Sequence, residues 1–198
     1  WGNGGSGRLG YGNTNDLGDG SGEMGDNLTV VDLGTGRTAT AISAGEEHTC
    51  AILDNASVKC WGEGGSGRLG YGNTNDIGNG SNEMGDNLTV VDLGTGRTAT
   101  AISTGYAHTC AILDNASVKC WGEGDSGHLG YGNTNDLGDG SDEMGDNLPV
   151  VDLGTGRTAT AISTGHGQTC AILDNASVKC WGLNGIGQLG YGNTNDLG

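Results

Sequence analysis

His48-Thr49-Cys50-Ala51-Ile52-Leu53-Asp54-Asn55-Ala56-Ser57-Val58-Lys59-Cys60-Trp61 is the stretch on which the fold turns. Its first six residues read as an apolar strand and its last five as a second, and Asp54-Asn55-Ala56 between them has the length of a tight hairpin loop. Counting outward from that loop sets Leu53 opposite Ser57, Ile52 opposite Val58, Ala51 opposite Lys59 and Cys50 opposite Cys60. Two cysteines facing each other across a hairpin are within reach of a disulfide. Closing so short a loop contributes roughly 2 to 3 kcal/mol in the chain-entropy model, and it implies an oxidising compartment. Zinc and free thiols are the alternatives, although this separation, with one histidine per pair, is not the usual spacing of zinc ligands.

The same stretch returns from His108 to Trp121 and from Gln168 to Trp181, so the chain is an array with a period of 60 residues. The units are 1–60, 61–120 and 121–180, followed by a partial fourth, 181–198. Cys110 with Cys120 and Cys170 with Cys180 repeat the first pair, which accounts for all six cysteines. Among the three full units only columns 3, 5, 8, 17, 19, 22, 29, 44 and 46 to 48 vary, eleven of 60. The chain opens and closes in mid-motif, at Trp1 and Gly198, as expected of a piece of a longer repeat protein.

Upstream of the hairpin, Leu28–Leu33 is short and partly β-branched, Gly34–Arg37 reads as a turn, and Thr38–Ser43 reads as a further strand. About four short strands per unit with no helix between them predict an all-β array, either a β-propeller of three four-stranded blades plus a partial fourth or an open β-solenoid. The first part of each unit, Trp1 to Asn27 in the first, is rich in glycine and Asx, with Leu9, Tyr11, Leu17 and Met24 as its sizeable apolar residues. It reads as a long loop, and loops of that length are usually functional, ordered by a ligand or disordered.

Gly4-Gly5-Ser6-Gly7-Arg8-Leu9-Gly10, the segment Ile42 to Ile52 and Val58-Lys59-Cys60-Trp61-Gly62 resemble the repeat of the regulator of chromosome condensation family, over the whole chain. In the partial unit, Gly187-Gln188-Leu189-Gly190 is closer still to the family's wording. The resemblance implies a β-propeller. Family members include nucleotide exchangers of a nuclear GTPase, secreted inhibitors of β-lactamase and large extracellular proteins with no assigned role. The acidic composition, the regular cysteine pairs and the lack of an insertion distinct from the repeats point away from nuclear exchange and towards a secreted branch. About three blades leave a ring to be completed by more chain or by another subunit.

Composition narrows the partners. With 24 acidic against 8 basic residues and a net charge of −16, the chain is not expected to bind nucleic acid or an anionic membrane. No hydrophobic leader and no run near the roughly 20 apolar residues of a membrane span is present, so no membrane insertion is expected. The acidic loop from Asn13 to Asp26 offers Asp16, Asp19, Glu23 and Asp26 as oxygen ligands for calcium. The alternative is that these side chains cap the loop's own amides.

Each hairpin tip carries an N-glycosylation acceptor, at Asn55, Asn115 and Asn175, and further acceptors begin at Asn27, Asn79 and Asn87, while Pro149 removes the third unit's copy. At the tip, Ala56 stands where a glycine would supply positive φ at less cost. Gly2–Gly7 matches a dinucleotide pattern by spelling only, since no helix follows. His48 and His108 are replaced by Gln168, and no nucleophile recurs beside a base, so no enzymatic activity is expected. Glu46-Glu47, Tyr106 and His166 vary in an otherwise uniform chain, as does column 8, and read as candidates for a partner-facing surface. The leading expectation is an extracellular structural or adhesive module, self-association included. The alternative is a protein-binding propeller such as a secreted inhibitor.

Overall fold

The computed structural model describes residues 1–198 and contains three antiparallel sheets of three strands each. Blade 1 is β1 (Ala39–Ala44), β2 (His48–Leu53) and β3 (Val58–Gly62); blade 2 is β4 (Ala99–Thr104), β5 (His108–Leu113) and β6 (Val118–Gly122); blade 3 is β7 (Ala159–Thr164), β8 (Gln168–Leu173) and β9 (Val178–Gly182). The hairpin register is as read from the loop, with Cys50 opposite Cys60, Ala51 opposite Lys59 and Ile52 opposite Val58. The tip needs positive φ, and Ala56 adopts it at 62°. No helix is long and apolar enough to cross a membrane.

The expected first strand, Leu28–Leu33, is not a strand in any unit, and each blade has three strands instead of four. The reason lies along the outer edge of β3, which several different segments cover in turn. The Tyr71 hydroxyl accepts the Cys60 N–H (2.9 Å) and donates to the Cys60 carbonyl (3.0 Å). Gly62 pairs with Ile77 through one isolated bridge. From the next unit, the Val91 N–H donates to Val58 O at 2.8 Å and the Ala99 N–H to Ala56 O at 3.0 Å. An edge whose groups are already satisfied has nothing left to offer a continuous fourth ladder.

The cores lie between blades. One joins Cys50, Ile52, Val58 and Cys60 of blade 1 to Val91, Leu93 and Ala99 of the next unit and to Trp121 in β6 of blade 2. The other joins Cys110, Ile112, Val118 and Cys120 to Val151, Leu153, Ala159 and Trp181. A three-stranded sheet cannot bury both faces alone, so each unit is stabilised by its neighbour. Polar latches complete the seam. Lys59 Nζ donates to Leu33 O (2.9 Å) and to Gly85 O (2.8 Å), and Asp86 accepts from the Thr35 N–H (2.8 Å) and hydroxyl (2.5 Å).

The first 27 residues of each unit are ordered by capping. Asp16 Oδ1 accepts the Gly4 N–H at 2.8 Å, and Glu23 Oε2 accepts from Gly18 (2.7 Å) and Gly20 (2.9 Å). These amide bonds hold the Glu23 carboxyl below its ordinary value.

Candidate functional site

At one end of the blades the turns β1–β2, β4–β5 and β7–β8 lie side by side, with the loops that follow β3, β6 and β9 against them. Adjacent turns are stitched by the Glu46 N–H to Gly105 O (3.3 Å) and the Tyr106 N–H to Gly165 O (3.2 Å). Turn is joined to loop by the Glu63 N–H to Glu47 O and the Glu123 N–H to Ala107 O, both 2.9 Å. Gly62 makes this approach possible. Its φ is 113°, and a side chain there would meet Glu47 O at 2.5 Å and His48 Cα at 2.7 Å.

Most of the columns that differ between units bring their side chains to this end. The Tyr106 and His166 rings stack with centroids 4.4 Å apart and an interplanar angle of 15°. Arg68 lies 6.0 Å from the Tyr106 centroid, donates to Tyr106 O (3.3 Å) and forms an ion pair with Glu63 at 2.7 Å. In the first unit Arg8 donates to Glu46 O (2.8 Å) and pairs with Glu47 at 3.3 Å. A shallow cavity of 230 Å³ opens among Glu46, Tyr106 and His166. Beside it Glu123 is pushed up by burial and by the neighbouring Asp125 and Asp136. The rim thus offers an aromatic platform among carboxylates, an arrangement suited to cationic or mixed polar–aromatic partners.

The histidines below the rim are structural. His48 and His108 are buried, and their Nε2 atoms lie 2.8 and 2.9 Å from the hydroxyls of Thr109 and Thr169 in the next blade. Each hydroxyl donates its single proton to a backbone carbonyl, Arg68 O and His128 O respectively, both at 2.9 Å. The imidazole must therefore donate from Nε2, which assigns its tautomer. Burial lowers both pKa values to about 3, so both rings are neutral at physiological pH.

The structure sets the other expected site residues apart from this rim. The sulfurs of Cys50–Cys60, Cys110–Cys120 and Cys170–Cys180 lie within the blades at distances that fit a disulfide in each pair. Asn55, Asn115 and Asn175 sit exposed at the hairpin tips, at the opposite end of the blades, and Asn55 Oδ1 accepts from the Ser57 hydroxyl at 2.7 Å. Asn27 and Asn87 are exposed and Asn79 half-buried in the long loops. Asp16, Asp19, Glu23 and Asp26 are not gathered into one cluster, for no group of three or more His, Cys, Asp or Glu side chains stands ready to hold a metal ion. Asp16 and Glu23 instead cap amides. Column 3, Glu63 and Glu123, joins the rim and was missed by sequence reasoning, although its own variation was the available signal.

A family model described as the Regulator of chromosome condensation (RCC1) repeat matches residues 39–68 and 99–127. The chain is 34% identical to the ultraviolet-B receptor UVR8 of Arabidopsis thaliana over 161 residues, which covers 81% of this chain and 33% of the receptor. Human WBSCR16 superposes with a TM-score of 0.67 at 17% identity, over 83% of this chain and 41% of that one. Yeast RCC1 (Prp20), solved with Kap60, superposes with a TM-score of 0.59 at 19% identity, over 82% of this chain and 34% of that one. The chain therefore spans about a third of the plant receptor, and the two structures establish likeness of fold.

Proposed function

Because this chain belongs to the RCC1 repeat family, we propose that its variable rim recognises a protein and that the propeller segment acts as a binding module in the extracellular space. The observation that carries this reading is where variation falls. Of the eleven variable columns, six (3, 5, 8, 44, 46 and 47) lie on the loops and strand ends of this one rim, and a seventh, 48, is buried just below it. The other four, 17, 19, 22 and 29, fall in the long loops, and a concentration of change at one end is what a recognition surface produces. The net charge of −16 favours a partner with a basic surface. Among the neighbours, yeast RCC1 is seen bound to Kap60.

Three cysteine pairs at disulfide distance support the oxidising setting. Glycans on Asn55, Asn115 and Asn175 would occupy the opposite end and leave the rim clear. The structural or adhesive role shares that setting, but it needs no concentration of residue changes at one rim. No catalytic role is proposed, since the histidine column is buried, neutral and exchanged for Gln168 in unit 3.

Photo-crosslinking tests the reading. A crosslinker at position 46 is expected to capture protein from the surface or medium of producing cells, and Tyr106→Ala with His166→Ala is expected to abolish the adduct. A crosslinker at position 115 is expected to capture none of it. Equal capture from both ends, or capture indifferent to the double substitution, rules out the rim.

A further inference from the structure

We propose that Asn87 carries an N-linked glycan whose first sugars fill the groove between units 1 and 2. The inference rests on the extracellular setting of the previous reading, and none of the residues it uses belongs to the rim.

An open groove runs between the long loops of adjacent units. The one between units 1 and 2 has a volume of 530 Å³, within the range of about 300 to 1,000 Å³ typical of small-ligand pockets. Tyr11, Val30 and Asp32 of unit 1 and Ser81, Met84 and Asn87 of unit 2 stand in its walls. The groove between units 2 and 3 repeats it with the same volume. There the unit 2 wall is backed by blade 1, through the Val91 N–H to Val58 O bond, so a groove keeps its size whether or not a further unit stands behind it.

The variation away from the rim gathers on these grooves. Of columns 17, 19, 22 and 29, three reach a groove wall: column 17 as Ile77, column 22 as Asn82 and Asp142, and column 29 as Thr29 and Thr89. Column 29 also supplies the hydroxyl of the acceptor sequence, present in Asn87-Leu88-Thr89 and abolished in Asn147-Leu148-Pro149. Asn87 is exposed at the groove edge, and its amide is unengaged. Asn27 Nδ2 donates to Gly22 O at 2.7 Å and Asn147 Nδ2 to Asp142 O at 3.0 Å, whereas Asn87 makes no such bond to Asn82. The neighbouring acceptor Asn79 is half-buried, with its backbone packed directly on Gly7.

The walls suit a sugar. Val30 and Met84 offer apolar contact to the face of a ring, and the Ser81 hydroxyl can donate and accept. Asp32 accepts the Gly34 N–H at 2.9 Å with one carboxylate oxygen and keeps the other for a sugar hydroxyl. The modification itself is a group transfer from a lipid-diphosphate-linked oligosaccharide. Asn87 Nδ2 bonds to C1 of the first N-acetylglucosamine as the C1–O bond to the diphosphate breaks. The lipid diphosphate leaves with that electron pair, and the amide loses one proton to solvent.

Secretion of the whole chain from a eukaryotic host, glycopeptide mapping and timed digestion with a peptide N-glycosidase test the proposal. The enzyme hydrolyses the bond between asparagine and the first sugar, so it needs that sugar exposed. Asn87 is expected to be occupied. Its glycan is expected to leave the native protein about tenfold more slowly than it leaves the Asn87 glycopeptide freed by proteolysis, because attack on a seated sugar waits on local opening. Glycans on Asn55, Asn115 and Asn175, at the exposed tips, are expected to show little such difference. Val30→Trp, which fills the groove from its unit 1 wall, is expected to leave Asn87 occupied and to bring its native release up to the glycopeptide rate. Val30 is exposed, so the fold is expected to be unchanged. An unoccupied Asn87 would overturn the proposal, and occupied tips beside it would keep the extracellular setting standing. Equal rates from native protein and glycopeptide, or a native rate that Val30→Trp does not change, would equally overturn it.

Discussion

Blade 2 and blade 3 are built from nearly the same residues and end in different surroundings. From Thr109 to Gly122 and from Thr169 to Gly182 the two sequences are identical, and the strands have the same register. Yet Val118 is 0% exposed and Val178 59%, and Ile112 is 3% exposed against 43% for Ile172. Lys119 donates to two carbonyls and Lys179 to one. The difference is the neighbour. Within residues 1–198 unit 3 seals blade 2, and only the start of a fourth unit, 181–198, follows blade 3. A unit of this array therefore has no burial pattern of its own, and what it contributes to stability depends on its place in the array.

The sharpest way to break this comparison is to place one charge at the two equivalent positions. Val118→Asp buries an unpaired carboxylate and is expected to lower stability by about 4 kcal/mol or more, whereas Val178→Asp is expected to stay within about 0.5 kcal/mol. Urea unfolding of dilute protein, followed by tryptophan fluorescence, reads both, and equal losses would show that blade position is irrelevant. The cysteine pairs extend the contrast. Cys110 and Cys120 are fully buried and Cys170 and Cys180 only half so. Graded reductant with mass mapping is expected to open Cys170–Cys180 first, and losing any one bridge is expected to cost about 3 kcal/mol in the chain-entropy model.

The histidine column gives a pH test. The pKa values of His48 and His108 are depressed to about 3 in the folded chain, against 6.5 ordinarily. The folded state thus stays neutral while the unfolded chain takes up protons. The stabilisation is complete above pH 6.5 and is lost as pH falls from there towards 3. At one pH unit below 6.5 the loss is about 1.4 kcal/mol for each imidazole. Melting curves across this window are expected to show a shallower pH dependence in His108→Gln, which copies the residue blade 3 already carries. A slope unchanged by the substitution would remove the buried imidazole as its cause. The smallest effect belongs to the hairpin tips, where Ala116 holds φ at 63°. Ala116→Gly is expected to raise stability by about 0.5 to 1 kcal/mol in thermal melts, and a loss would mean the tip tolerates alanine without strain.

The hairpin was legible because everything that sets it lies within fourteen residues: a continuous apolar run, a three-residue loop and cysteines at matched positions on either side of it. The missing strand was not legible. Leu28–Leu33 has the composition of a strand, but its counterpart Leu88–Leu93 gives β3 of the preceding blade only the Val91 N–H to Val58 O bond, because Tyr71 holds both backbone groups of Cys60 and Ile77 pairs with Gly62. The acidic loop showed its oxygens plainly, and the structure turns Asp16 and Glu23 onto backbone amides. At the rim the turn residues Glu46, Glu47, Tyr106 and His166 stood out by variation. Their union with columns 3 and 8, as in the Arg68–Glu63 pair beside Tyr106, joins residues some 40 positions apart.

By itself the sequence determined the period, the hairpin register, the facing cysteines and the all-β class, because each is encoded within one unit by local geometry. Tertiary structure alone decided which identical residues are buried, how many strands a blade keeps, and that the varying side chains meet on one rim. Those outcomes depend on contacts between units, and identical units carry no local mark of which neighbour, if any, will cover them.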